Sequence, residues 1–436
     1  MDLISKRKRF NNSKNSNLKK EAIKKEIPKK ENEETKPKDI DFNIDIRKET
    51  KEISEYIIRL RKHFHRHPEL GLQEFETSKR IKEELDKIGV FYEEAAVTGI
   101  IATIGKGKGR HIALRADMDA LKIEEKTGVS YCSQNPGVMH ACGHDAHTAA
   151  LIGAAIILKK YENLLPGKIS LIFQPSEENC KGAKLIVEDG CLLGIDEIFG
   201  LHVFGDIECG KISIEEGPRM ASSDIFKIKI YGKAGHAGKP QQCVDATLAA
   251  AATVLNIQSI ISREVNPIDS AVVTIGHIQS GSQHNIISGE AFIEGTVRTF
   301  SVETAKAIKN SIERIVYSTA SSYGATAVID YNMSAHPAVV NDKDAVKSAL
   351  DGARKIFPEE SLVSIPKMML GEDFSVYQKR IPGVFAFVGA GNEEMGRAYP
   401  NHNEKFNIDE KAVLISTELH VAYALEAIKK ETRKQH

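Results

Sequence analysis

The chain has 436 residues, 41% hydrophobic and 28% charged, with Lys+Arg and Asp+Glu balanced at 60 each. That balance provides no global field for nucleic acid or an acidic partner, and the length exceeds what one hydrophobic core usually fills. No apolar run approaches a membrane span, and the opening MDLISKRKRF lacks the apolar core of a secretory signal. The six cysteines are irregularly spaced in a long chain; they read as free thiols of a cytoplasmic protein, available as ligands, rather than as a disulfide framework.

The first 40 residues carry 13 Lys/Arg against 7 Asp/Glu, interspersed with Asn, Ser and Pro. With so few apolar anchors, residues 1–45 are expected to form a disordered Lys-rich tail. A tether to RNA or an anionic surface is the alternative for a basic run. The rest of the chain has 47 Lys/Arg against 53 Asp/Glu, so neither nucleic acid nor membrane is an expected partner.

From residue 46 the pattern turns α/β. A helix with the stripe Ile53, Ile57, Leu60 and Phe64 runs into HFHRHPEL, where Pro68 stops it. The three histidines there read as structure. A second helix is expected over 77–88, then strands at 100–105, 111–116, 169–173 and 198–203, with a long helix over 144–161. Strands alternating with helices predict a mostly parallel sheet covered on both faces. Between 222 and 332 the rhythm changes. IFKIKIYG (225–232) alternates with period two, followed by a helix over 244–262, strands at 271–278 and 291–300, and a helix over 302–322. The expected architecture is a catalytic α/β domain in two parts, 46–221 and 333–436, around a smaller α+β insert, 222–332, with an antiparallel sheet and two helices. The closing part carries a helix near 342–356, a strand at 384–389 and a last helix from 409.

Four segments carry chemistry. In MHACGHDAH, Cys142 and His144 flank one glycine at the head of the long helix, a plausible half-site for a divalent ion. In QPSEEN, Pro175 ends a strand and sets Glu177 and Glu178 at its carboxyl end, where open α/β sheets bind ligands. Adjacent carboxylates repel; a cation resolves this if one ligates it and the other takes a proton from an acidified water. His202 ends another strand, and His402 lies in the loop YPNHNEKF before the last helix. Cys142, His144, Glu178, His202 and His402 make five donors, too many for one tetrahedral ion with an open position and suited to two ions sharing them.

These segments, with HRHPELG, RADMDA, GLHV, GKAGHAGKP, EGTVRT and GEDFS in order, resemble the M20 metallopeptidase/amidohydrolase family. The similarity spans about 48–430 and is closest to the branch of hippurate hydrolases, auxin-conjugate hydrolases and N-acetyldiaminopimelate deacetylases. The resemblance implies Cys142, His144, Glu178, His202 and His402 as metal ligands and Glu177 as general base. It implies His236, in the insert, as a residue that binds or polarises substrate, acting across a homodimer formed through that insert, which also serves as a lid. Asn285 and Arg298 match insert positions that contact substrate or shape the site. Arg115-Ala-Asp117 follows the branch's replacement of the wider family's His-x-Asp, so Asp117 is expected to orient a ligand by a hydrogen bond. NIISG (285–289) departs from the Pro-Asp usual after the apolar pair.

The function implied is hydrolysis of the amide of an N-acyl-L-amino acid by water activated on two divalent ions, Zn, Mn, Co or Ni, with Glu177 as base. A dipeptidase or carboxypeptidase on the same scaffold, and a non-catalytic binding protein of the fold, are the alternatives.

Overall fold

The computed structural model describes residues 42–430; the expected tail falls outside them up to residue 41. Within its last residues Phe42 is buried, with Lys429 Nζ 5.1 Å from its ring centre, and Asp45 caps the first helix by accepting from Lys48 N. That helix, α1 (Ile46–Arg66), buries Ile57, Leu60 and Phe64, one face at helical spacing, and stops just before Pro68. It is followed by α2 (Phe75–Lys87), β1 (Tyr92–Ala95), β2 (Gly99–Ile104) and β3 (His111–Asp117). After a long loop come α3 (His144–Lys160), β4 (Lys168–Gln174), α4 (Gly182–Glu188), β5 (Glu197–Glu208) and β6 (Ile212–Ser213).

β7 (Gly217–Met220) leads to a second sheet built from β8 (Ser223–Tyr231), then β9 (Gly235–His236), α5 (Ala246–Ile257), α6 (Ser259–Arg263), β10 (Ala271–Ser280), β11 (Ile286–Ile287), β12 (Glu290–Thr299), α7 (Val302–Ser322) and β13 (Thr326–His336). β14 (Val339–Asn341), α8 (Lys343–Ala353), α9 (Ser375–Gln378), β15 (Gly383–Gly391) and α10 (Lys411–Ala427) complete the described chain.

The main sheet runs β1-β2-β4-β3-β5-β15-β6. Its centre, β4-β3-β5-β15, is parallel, and its edges pair antiparallel. Strands buried on both faces are apolar without alternation over much of their length, as in IAL (112–114) of β3 before Arg115, which a sheet covered by helices requires. α3 is buried almost all round, which explains its run of Ala, Leu and Ile. The second sheet, β10-β12-β8-β13, is wholly antiparallel. On β8, Phe226, Ile228 and Ile230 face its core while Ile225, Lys227 and Lys229 face out. That core is separate: α5 contributes Ala249 and Ala250, and α7 contributes Ile308, Ile312 and Val316. The mostly parallel main sheet with separate antiparallel sheets is the fold class expected.

The structure differs from the sequence reading in local ways. The helix over 244–262 breaks at Gln258 into α5 and α6. A fourth strand, β13, was not expected; it runs to His336, past residue 332. The chain enters and leaves the second sheet through β7 and β14, which pair with each other, Met220 opposite Val339.

Candidate metal centre

β3 and β4 are in register, with Asp117 opposite Gln174, so both strands end together. The loops after them carry Asp119 on one side and Glu177 and Glu178 on the other. β5 reaches further than expected: β3 pairs with it only as far as Gly200, and β5 continues to Glu208. His202 thus lies on a strand, two residues beyond that pairing, at the same sheet end. Gly143 adopts φ +90° as the cap of α3; a side chain there would stand 2.4 Å from Val203 Cγ2. This bend lets Cys142 and His144 point to one place.

The donor atoms of Cys142, His144 and His202 lie within 4.8 Å of one another, as do those of Cys142, Glu178 and His402, and those of His144, Glu177 and Glu178. All five expected ligands are therefore brought together, and Cys142 belongs to two of the groups. His202 Nδ1 is 2.8 Å from the Val203 carbonyl, to which it donates, which leaves the Nε2 lone pair facing Cys142 Sγ at 3.4 Å. His144 Nδ1 is 3.2 Å from Asp119 Oδ1, while its Nε2 is buried without a hydrogen bond. Glu178 Oε1 is 3.3 Å from His402 Nε2, outside hydrogen-bond geometry. A thiol, a carboxylate oxygen and three imidazoles in overlapping groups fit a divalent cation, because leaving the buried His144 Nε2 and Glu178 Oε1 without a partner is costly; His402 approaches from the exposed side.

His147 is different. Its Nδ1 is 2.6 Å from Asp117 Oδ1 and its Nε2 accepts the Val203 N–H at 2.9 Å, so both nitrogens are committed. Asp117 meets His147 in this way and lies 3.8 Å from His144 Nε2. The carboxylate on His144 Nδ1 is that of Asp119, which sequence reasoning passed over; the second Asp of RADMDA was its only signal. Asn401 was also missed. Its side-chain amide donates to the carbonyls of Cys142 and Val203, tying the His402 loop to the segments that carry Cys142 and His202. His402 itself sits at φ +67°, a conformation held by its N–H on the Ala141 carbonyl.

Behind the donors lies a buried acidic knot. Arg115 donates to Asp117 at 2.7 Å, Asp373 at 2.9 Å and Gln174 at 2.9 Å, and pairs with Glu372 at 3.0 Å. Glu177 reaches the knot through the Asp373 N–H at 3.5 Å. Burial first, then the carboxylates of Glu372, Asp373 and Glu178, push the Glu177 carboxyl well above the usual range.

The insert residues stand apart. His236, on β9, is exposed; its Nδ1 accepts from Gly238 N, and no described hydrogen bond, ion pair or ring contact joins it to the donors. Asn285 is its neighbour, since its carbonyl accepts the Ala237 N–H and β11 pairs Ile286 with His236. NIISG thus keeps Asn285 beside His236. Arg298, on β12 opposite Val272, is half-buried, and among the described residues its side chain has neither hydrogen bond nor ion pair.

The family model of peptidase family M20/M25/M40 matches residues 113–426, which span all of these donors. The chain belongs to this family. It is 40% identical over 374 residues to an IAA-amino acid hydrolase ILR1-like 4 of Arabidopsis thaliana, covering 85% of each chain. It is 41% identical to an N-acetyl-L-cysteine deacetylase of Bacillus subtilis, covering 83% of this chain and 86% of that one. A solved Bacillus subtilis structure described as a dinuclear metal binding peptidase from the M20 family superposes with a TM-score of 0.77 at 35% identity, over 87% of this chain and 99% of that one. The protein is thus an M20 hydrolase with a candidate metal-binding cluster. Among the described residues no helix is long and apolar enough to cross a membrane, and all six cysteines are free thiols.

Proposed function

We propose that the protein hydrolyses the amide bond of N-acyl-L-amino acids in the cytoplasm, with Glu177 as general base and two divalent ions held by Cys142, His144, Glu178, His202 and His402. Bound there, the ions would supply an acidified water and a Lewis acid for the amide carbonyl. Glu177 takes the proton of the attacking water and returns it to the leaving nitrogen; burial and the neighbouring carboxylates raise its affinity for that proton, and the cations would keep it ionised before the step. Asp119 and Asp117 hold His144 and the head of α3 in place.

The observation that carries the substrate assignment is Arg298. A half-buried guanidinium without a counter-ion calls for an anion, and the free carboxylate beside the scissile amide provides one. A plain dipeptide also offers that carboxylate, and the solved relative is described as a peptidase, so the acyl side must separate the two. His236, exposed and distant in contacts from its own donors, is assigned to the site of a second copy, in a homodimer formed through the 222–332 segment. The paired β7 and β14 strands are the place where that segment would swing.

The test is release of amino acid from acetyl-, benzoyl- and indoleacetyl-amino acids and from dipeptides, by the protein loaded with Mn²⁺ or Zn²⁺. Acyl-conjugate cleavage that vanishes in Glu177→Ala supports the reading; cleavage of dipeptides alone replaces it with a peptidase. Mixing Glu177→Ala with His236→Ala protein should restore part of the activity if the site is shared, and no restoration would confine His236 to its own chain.

A further inference from the structure

Loop residues 370–374 follow the motif's Gly-Glu-Asp-Phe, and the reaction outlined above uses none of them directly. Gly371 is packed on one side by two side chains from the second sheet. A side-chain carbon at Gly371 would stand 2.1 Å from His336 Cε1, 2.5 Å from His336 Nε2 and 2.8 Å from Arg298 Nη1. His336 and Arg298 thus meet over the bare Cα of Gly371. His336 is 3% exposed and closes β13, whereas Arg298 is the guanidinium left without an anion. Two residues on, the Asp373 N–H donates to Glu177 Oε1, and Arg115 anchors both Glu372 and Asp373.

We propose that Gly371 and His336 are positioning residues that seat Arg298 for the substrate carboxylate, and that the 370–374 loop couples this seat to the orientation of Glu177. The proposal rests on the amidohydrolase reading. One short loop, held by Arg115, meets on one side the Arg298 guanidinium that recognises the carboxylate and on the other the Glu177 carboxylate that moves the proton. Placing the carboxylate correctly then fixes the amide relative to the base, which is where alignment contributes most to rate.

The test compares an N-acetyl amino acid with its carboxamide, using metal-loaded wild type, Gly371→Ala and His336→Asn, with metal content and thermal unfolding as controls. Gly371→Ala should lose tenfold or more of the carboxylate-over-carboxamide preference in kcat/KM and should also lower kcat on the carboxamide. His336→Asn leaves the loop backbone alone, so it should cut the preference several-fold, mainly through KM, with carboxamide kcat near wild type. An unchanged preference in both variants overturns the seat. Lost preference with wild-type carboxamide kcat in Gly371→Ala overturns the coupling. If wild type cleaves neither compound, the amidohydrolase reading fails by itself. The seat is then read from calorimetric binding of the N-acetyl amino acid, which Gly371→Ala must weaken and whose unchanged affinity would overturn it.

Discussion

Asp119 Oδ1 stands 3.2 Å from His144 Nδ1, and the same carboxylate accepts the Glu178 N–H at 3.1 Å through its other oxygen. One side chain thus orients two of the five donors. Carboxylates that orient a ligating imidazole typically contribute 10- to 100-fold in metal affinity. Asp119→Ala should therefore bind Zn²⁺ or Mn²⁺ about 10- to 100-fold more weakly by competition with a chelating dye. Unchanged affinity would leave Asp119 a purely structural residue.

Glu177→Gln keeps the shape of the base and removes its proton-accepting oxygen. Metal content should stay at the wild-type level while kcat falls by about 10²–10⁴-fold. Elemental analysis beside steady-state rates separates this result from simple loss of the ions.

Gly143 combines φ +90° with a wall of Val203 2.4 Å from any added carbon. Gly143→Ala should therefore displace Cys142 relative to His144. We expect lowered metal occupancy together with a stability loss of about 1–3 kcal/mol, read by denaturant unfolding. A variant with wild-type metal content and stability would refute the role of this bend.

Arg115 is the cation facing Asp117, Glu372 and Asp373, all buried. Removing it leaves those carboxylates uncompensated, so Arg115→Met should destabilise the fold by about 3–5 kcal/mol. Arg115→Lys keeps the charge but loses the fork, and should recover only part of that stability. Full recovery with Lys would mean that geometry is unimportant there.

Glu418, on α10, is pushed by burial from 4.5 to about 7, with Arg47 opposing the shift. Its pKa is higher folded than unfolded, so its contribution is fully present below about 4.5 and is lost as pH rises through about 7. Glu418→Gln should flatten the stability profile across that window and be more stable than wild type at alkaline pH. Thermal melts over a pH series check this, and parallel profiles for the two proteins would exclude it.

The donors were legible because their signals are local. Cys142 and His144 share one turn at the head of a helix, Glu177 and Glu178 are adjacent, and the strands leading to Glu178 and His202 place them at one sheet end. Asp119 was hidden because its partner His144 lies 25 residues away, a pairing set by the loop after β3 rather than by spacing. Asp117 was expected on a ligand and instead meets His147, whose second nitrogen is occupied by a backbone N–H; only the position of β5 beside α3 decides that. β13 escaped notice because TAVIDYNMSAH mixes polar and apolar residues on a half-exposed strand. The loop at Gly371 could not be foreseen, since its neighbours Arg298 and His336 are distant in sequence.

The order of strands bears on how the protein is made. β6 follows β5 directly in the chain, yet in the sheet they are separated by β15, which pairs with both. During synthesis, then, β5 waits with one edge bare from Glu208 to Gly383, about 175 residues, and the loop bearing His402 emerges only after that gap is closed. A chain still on the ribosome at residue 380 has four of the five donors and no complete sheet to hold them. Truncations before β15 should therefore yield aggregation-prone chains rather than weakened enzymes.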